Sequence, residues 1–374
     1  MVLFKKVVIF KNSWNLGLFY LFVWALITGA INQSFLSIAA AFAFLIYFCV
    51  SVFLQNYCYN ENKVEKLYKY LVYFSIFSAV LGIIEKLIYL LLGINIWKGL
   101  LELTFQPIIN DRIYSTFGNP NVAGNWFAIM TLVGIYFINN DDKKKRLFYK
   151  ISTLLFVIAL CLTGSRGAYF GLLFGLFIFY LLRRNKKDFW TFAIFLFIGL
   201  LAFTPSYILD LTRVFGHELD SSFDSRVGIW YGCFKMIKDK PITGWGMLGL
   251  VNPKTNYLDA YYYETLYHSH NIWITFATTL GVIGLLIYLL MKFNLYKNIK
   301  KLYSQNCRLV PLLAGIQAII VGHGLVDFTI MAPQAGLLFI SCSAFISALA
   351  RQHSVSLLDK SLPVTPYKSL SKLS

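Results

Sequence analysis

Charge is what this chain has least of. Only 14% of its 374 residues are charged, against 58% hydrophobic and 18% aromatic. Soluble chains carry about 25% charged residues. Acids are the scarcest of all: 17 Asp and Glu stand against 34 Lys and Arg, a formal charge of +17. So little polar surface excludes a disordered chain and a soluble globule. Nine prolines and 25 glycines exclude a collagen, and six cysteines in 374 residues exclude a disulfide scaffold. Also missing are a Walker loop, a Rossmann fingerprint, zinc-ligand spacing and a Ser-His-Asp elbow. There is no internal repeat and no low-complexity linker. Long apolar runs are abundant instead, and mean hydropathy is +0.63.

A helix needs about 20 mainly apolar residues to cross a bilayer core. Ten runs qualify as candidates: Ser13 to Ala30, Ser34 to Leu54, Tyr70 to Leu92, Val122 to Ile138, Ile151 to Thr163, Gly167 to Leu182, Phe189 to Thr204, Asn271 to Met291, Leu309 to Val326 and Gln334 to Ala350. The fifth and sixth, around Gly164-Ser165-Arg166-Gly167, also fit a re-entrant hairpin. The predicted fold is all-α: a polytopic transmembrane helical bundle of about ten spans, with one large extracytoplasmic loop that contains an amphipathic helix. Residues 1–350 form the transmembrane domain, 205–270 its outer loop, and 351–374 a cytoplasmic tail. The basic first span reads as a retained signal anchor.

In a soluble chain +17 would suggest nucleic acid. In a membrane chain it orients the spans, because basic residues stay in the cytoplasm. With both termini inside, the inner segments hold 24 basic and 6 acidic residues, and the outer ones 9 and 10. Glu85 and Lys86 lie within the third span and have no assigned role. No nucleic-acid partner is expected. Cys233 is the only cysteine in an outer loop, so it has no outer partner there.

The inner loops are short and basic. The outer face has a stretch from Gly93 to Asn121, a tight turn at Arg166 and a long loop from Pro205 to His270. Loops of that length usually carry function. ATP is absent outside the membrane, so energy must arrive with the substrate, as in a lipid-diphosphate-linked donor. Arg166 is a lone cation between apolar spans, and an arginine holds phosphate bidentately without losing its charge. The bland reading is an arginine snorkelling to headgroups. Arg226 lies in Asp224-Ser225-Arg226, at the start of an amphipathic helix read from Arg226 to Lys240. Ile229, Trp230, Cys233, Phe234 and Ile237 share one face of it. An Asp224–Arg226 surface pair is the competing reading. Arg112, in Asp111-Arg112-Ile113-Tyr114, is a third candidate for phosphate or sugar. The following turn, Gly118 to Asn121, also reads simply as a helix cap.

His268-Ser269-His270-Asn271 stands directly before the eighth span. A histidine at the outer mouth of a bundle can act as a general base near neutral pH. His270 is the candidate base, with His268 and Asn271 as contacts; a solvated interfacial histidine is the alternative. Tyr257, Tyr261, Tyr262, Tyr263 and Tyr267 suit either sugar stacking or an interfacial belt. His217, Glu218, Asp220 and Asp224 read as a solvated acidic loop rather than a hard-metal site. His323 and Asp327, at the outer end of the ninth span, pair with each other or line a cavity.

Taken in order, several motifs resemble the O-antigen ligase and O-antigen polymerase family. They are Arg112 through Asn121, Thr163-Gly164-Ser165-Arg166-Gly167, Asp224-Ser225-Arg226 with Trp230, Asp239-Lys240-Pro241-Ile242-Thr243-Gly244-Trp245-Gly246, and His270-Asn271 with Gly281-Val282-Ile283-Gly284. The similarity covers about residues 110–290. It implies a membrane glycosyltransferase of the GT-C-like architecture that moves a glycan from undecaprenyl diphosphate to an acceptor hydroxyl. The acceptor is a lipid A core sugar in ligases and a growing lipid-linked glycan in polymerases. By motif position, Arg166 and Arg226, with Arg112 beside them, bind the diphosphate. His270 is the catalytic base. His268, Asn271, Asn121, Tyr263 and Tyr267 are assigned to the acceptor. No metal and no cofactor are implied. The expected location is the bacterial cytoplasmic membrane. A transporter of a small anion or lipid-linked sugar, like the branch once linked to inorganic carbon uptake, is the alternative. Transporters gather polar groups at the bilayer midplane, whereas most of these lie at the outer mouth.

Overall fold

Asparagine and serine begin most of the helices. In the computed structural model the described residues are 7–94, 96, 112–183, 194, 196, 219–251, 257 and 266–361. Asn12 caps α1 (Ser13–Ile31), Ser34 caps α2 (Phe35–Tyr57) and Asn60 caps α3 (Glu61–Leu92). Asn119 caps α4 (Pro120–Asn140), with Pro120 in the first turn. Asn271 caps α8 (Ile272–Ser304) by accepting from the amides of Trp273 and Ile274 at 2.9 and 3.0 Å. Each cap satisfies amides that the helix itself leaves open, which matters more where water is scarce. Between them lie α5 (Arg146–Leu162), α6 (Arg166–Arg183) and α7 (Leu219–Asp239). The chain closes with α9 (Val310–Gly324) and α10 (Pro333–Ser361). No strand occurs among the described residues.

The protein is a multi-pass, all-helical membrane protein. Seven of these helices are long and apolar enough to cross a bilayer: α1, α2, α3, α4, α6, α8 and α10. Nine of the ten expected spans fall on helices, and Phe189 to Thr204, apart from Ile194 and Leu196, lies outside the described residues. The nine comprise the seven long helices and two shorter ones, α5 with 17 residues and α9 with 15. Three helices outrun their apolar runs. α3 begins nine residues before Tyr70, α8 runs thirteen past Met291, and α10 reaches Ser361, so the expected tail starts as helix. Backbone hydrogen bonding does not stop where the lipid does.

α4 is the central helix, with 83% of its apolar window buried, whereas α2 and α3 bury 22% and turn most of their surface outward. α5 returns along α4, while α6 packs against α9. Both halves of the Arg166 turn touch α4, and α6 makes its larger contact with α9. Glycines let α6 and α9 approach closely. A Cβ on Gly171 would meet the Ile319 carbonyl at 2.7 Å, and one on Gly175 the Gly315 carbonyl at 2.8 Å.

Candidate active site

The described arginines and histidines flagged for chemistry gather at one end of the bundle, where α4, α6 and α8 begin and α9 ends. The segment before α4 is fastened first. Glu85 of α3 is buried, and its carboxylate accepts from the amides of Tyr114 (3.0 Å) and Ser115 (2.8 Å). Ser115, at φ +53°, donates its hydroxyl to the Ser78 carbonyl at 2.6 Å. Arg112 donates through Nε to the Thr163 carbonyl (2.6 Å) and through Nη2 to Asn121 Oδ1 (2.7 Å). The Ile113 amide reaches the Leu162 carbonyl at 3.2 Å. Much of Arg112 and Asn121 is thus committed to joining this segment to the turn that carries Arg166.

α7 starts at Leu219, seven residues earlier than expected, so Arg226 lies in mid-helix rather than in the first turn. Its buried face also differs. Ile229, Cys233 and Met236 turn inward, at i, i+4 and i+7, while Phe234 is 57% exposed. Ile229 and Cys233 form a small core with Leu250 and Leu266, against which Trp230 and Ile274 pack. Trp230 Nε1 donates to the Ser269 carbonyl at 2.8 Å. The indole therefore ties Arg226, one turn away, to the histidine segment. Arg226 and Arg166 lie within electrostatic range of each other.

The segment after α7 does more than end a helix. α8 is broken at Gly281 (φ +65°), which exposes carbonyls that a straight helix would bond internally. Trp245 and Gly246 amides take those of Thr278 (2.9 Å) and Thr279 (2.8 Å), and Val282 donates to the Pro241 carbonyl at 2.8 Å. Trp24 Nε1 takes the Leu280 carbonyl at 2.7 Å. A Cβ on Gly281 would lie 2.0 Å from the Ile242 carbonyl oxygen, so only glycine admits the segment. Pro241 to Gly246 and Gly281 form one joint that sets α7 against α8.

His270 sits at φ +53°, an uncommon conformation for a side-chain residue. Its Nδ1 faces Asp327 Oδ1 at 3.0 Å. Asn271 Nδ2 donates to the Leu325 carbonyl at 2.9 Å and holds the same two loops together. Burial raises the Asp327 carboxyl pKa, but the His270 hydrogen bond and charge, with His268 and His323 beyond, outweigh it and hold it well below the usual range. An ionised Asp327 keeps the proton on His270 Nδ1 and leaves Nε2 as the base. The His268 ring lies 4.4 Å from that of His270, and its Nδ1 accepts the His270 amide at 3.2 Å. Burial, with His270 and Arg226 nearby, lowers the His268 pKa to about 4, against the pull of Asp327. His268 is neutral near pH 7. His323 is the further imidazole, 1% exposed, within electrostatic range of Asp327, Arg226 and Arg112.

Ligand atoms of His268, His270 and Asp327 all lie within 4.8 Å of one another, a spacing that also suits a metal ion. The acidic residues 217–224 lie outside the described side chains, as does Tyr263. Tyr267 is described and 39% exposed. The sequence sets Asp327 with His323 or against a cavity; among the described residues its carboxylate instead meets His270, 57 residues away.

Residues 151–289 match the family model described as O-antigen ligase. This stretch is similar to an O-antigen ligase domain. No curated protein matches the chain. The O-antigen ligase-like stretch contains Arg166, Arg226, His268, His270 and Asn271. Arg112, Asn121, His323 and Asp327 come from outside the matched stretch, yet they pack onto it.

Proposed function

We propose that this protein transfers a glycan from undecaprenyl diphosphate to an acceptor hydroxyl at the outer face of the bacterial cytoplasmic membrane. The O-antigen ligase-like stretch supports glycan transfer in surface-polysaccharide assembly. The observation that carries the finer reading is the His270–Asp327 pair at the bundle end that also holds Arg166 and Arg226. His270 Nε2 takes the acceptor hydroxyl proton as the acceptor oxygen bonds to the anomeric carbon. The bond from that carbon to the diphosphate oxygen breaks, and the diphosphate leaves with the electron pair. Arginines stabilise the charge it gains, where a metal would otherwise serve. His268, Asn271, Asn121 and Tyr267 are assigned to the acceptor, as is Tyr263 outside the described residues, and Arg112 is assigned to the diphosphate. The excess of basic residues on the loops at the opposite end supports an outward-facing site.

A strain that lacks surface-polysaccharide ligation or polymerisation, complemented with wild type, His270→Ala and Arg226→Ala, tests this. Loss of a ladder of glycan lengths identifies a polymerase. Loss of attachment with lipid-linked polymer accumulating identifies a ligase. Full activity of both variants sinks the mechanism. Transfer by the purified protein is expected to persist in EDTA; loss that zinc or magnesium restores would assign a metal to His268, His270 and Asp327.

A further inference from the structure

The first turn of α6 is surrounded by polar atoms the fold itself does not use. Ser165 stands immediately before α6, where a serine hydroxyl ordinarily caps a first-turn amide. Its Oγ is buried and has no hydrogen-bond partner among the described residues. His323 of α9 is in the same state: the residue is 1% exposed and its Nδ1 has no partner among the described residues. Folded proteins seldom leave such atoms unsatisfied, and a ligand or an ordered water is the usual explanation.

Gly167 is what brings His323 to that turn. A Cβ there would lie 2.8 Å from His323 Cδ2 and 3.2 Å from Nε2, so only glycine lets the imidazole edge rest against the start of α6. Arg166 lies between Ser165 and Gly167, and Arg112 and Arg226 act on the same imidazole from two other elements. The surroundings are rich in donors: three guanidinium groups, a hydroxyl, an imidazole and the amide end of an 18-residue helix. The nearby carboxylate, Asp327, is engaged by His270 and by the Phe328 amide. A donor-rich, acceptor-poor pocket at a helix N-terminus recognises an anion with several oxygens.

We propose that Ser165 and His323 are phosphate-binding residues, which complete with Arg166 and the first turn of α6 a cradle for one phosphate of the lipid-diphosphate donor. The proposal rests on the glycan-transfer reading and adds two donor contacts to it. Its second half, the α9 histidine, comes from beyond the matched domain.

The test uses full-length protein in detergent, inorganic pyrophosphate as the probe, and calorimetric titration beside thermal unfolding. Ser165→Ala is expected to weaken binding about fivefold and His323→Ala about tenfold, as for a lost hydrogen bond of ordinary net strength. His323→Gln, which keeps a donor, should recover part of that loss. The Ser165→Ala midpoint should hold or rise, since it removes an unsatisfied buried atom; that of His323→Ala should fall through the cavity it leaves, and His323→Gln should recover part of it. Affinities within twofold of wild type in both alanine variants, with Arg166→Ala still weakened, overturn the cradle and leave the transfer reading intact. Failure of wild type to bind pyrophosphate, together with unimpaired transfer by Arg166→Ala, overturns both. Loss of binding that tracks a fallen midpoint, without rescue by glutamine, assigns the two residues to packing and also overturns the cradle.

Discussion

The two ends of this bundle handle charge in opposite ways. At the end where α3 begins and α9 begins, cations meet acids. Arg308 reaches Glu61 at 3.1 Å, Glu65 at 3.2 Å and Asn62 at 2.6 Å. Lys69 meets Asp141 at 2.7 Å, and burial, opposed by Lys69 and nearby hydrogen bonds, leaves that carboxyl below its usual pKa. At the other end three arginines gather, and the described acids among them are spent elsewhere. Glu85 is bonded to backbone amides and Asp327 to an imidazole. Cations paired with acids at the protein's own surface serve the fold, whereas three arginines drawn to one end are suited to an incoming anion.

The hardest test of that contrast is chemical. His270→Ala should lower transfer by about 10²–10⁴-fold, the span of a lost general base. Asp327→Asn removes the charge that holds the Nδ1 proton, and its rate should fall in the same direction but less. Both are read by single-turnover transfer to a defined acceptor. Asp327 gives this joint a pH dependence of its own. Its folded pKa is depressed, so the stability it contributes is present above its unfolded value of about 3.9 and is lost only on further acidification. Melting points that fall steeply between about pH 8 and 5 would place another titrating group at this joint.

Next is Arg166→Lys, which keeps the charge but not the planar fork. If the arginines bind diphosphate bidentately, transfer should drop by about 10²-fold with little change in melting point. An equal rate for lysine would reduce this end of the bundle to simple positive charge. A structural counterpart is Gly171→Leu, in the α6–α9 contact behind the site. Its side chain would collide with the Ile319 carbonyl, and overpacking of this kind costs about 1–3 kcal/mol. Chemical denaturation in detergent should report that loss, with transfer falling only as folded protein is lost.

What the sequence made legible follows from how far each signal reaches. Apolar runs are local, so nine of the ten expected spans fall on helices. Arg166 and His270 stand out because each sits in a short motif between apolar runs. Asp327 does not, because its meaning lies in a partner 57 residues away. Glu85 has no sequence reading for the same reason: the amides it holds are about thirty residues downstream. Pro241 to Gly246 reads as a helix terminator, and only the fold joins it to the break at Gly281. The boundary of α7 was misplaced because the polar turn from Leu219 to Ser225 carries no apolar period. Arg226 therefore reads as first-turn when it lies in mid-helix.

The smallest expected effect is the most useful control. Arg308→Ala removes three contacts at once, yet its side chain is 54% exposed, and such pairs contribute about 0–1 kcal/mol. The melting point should shift slightly and transfer should not change. Raising salt should mimic the substitution, because screening weakens exposed pairs first. Charge reversal at the partners, Glu61→Lys with Glu65→Lys, should cost more than Arg308→Ala, since it replaces attraction with repulsion. If Arg308→Ala instead lowers transfer as far as Arg166→Lys does, the two ends are coupled, and the paired end can no longer be read as scaffold alone.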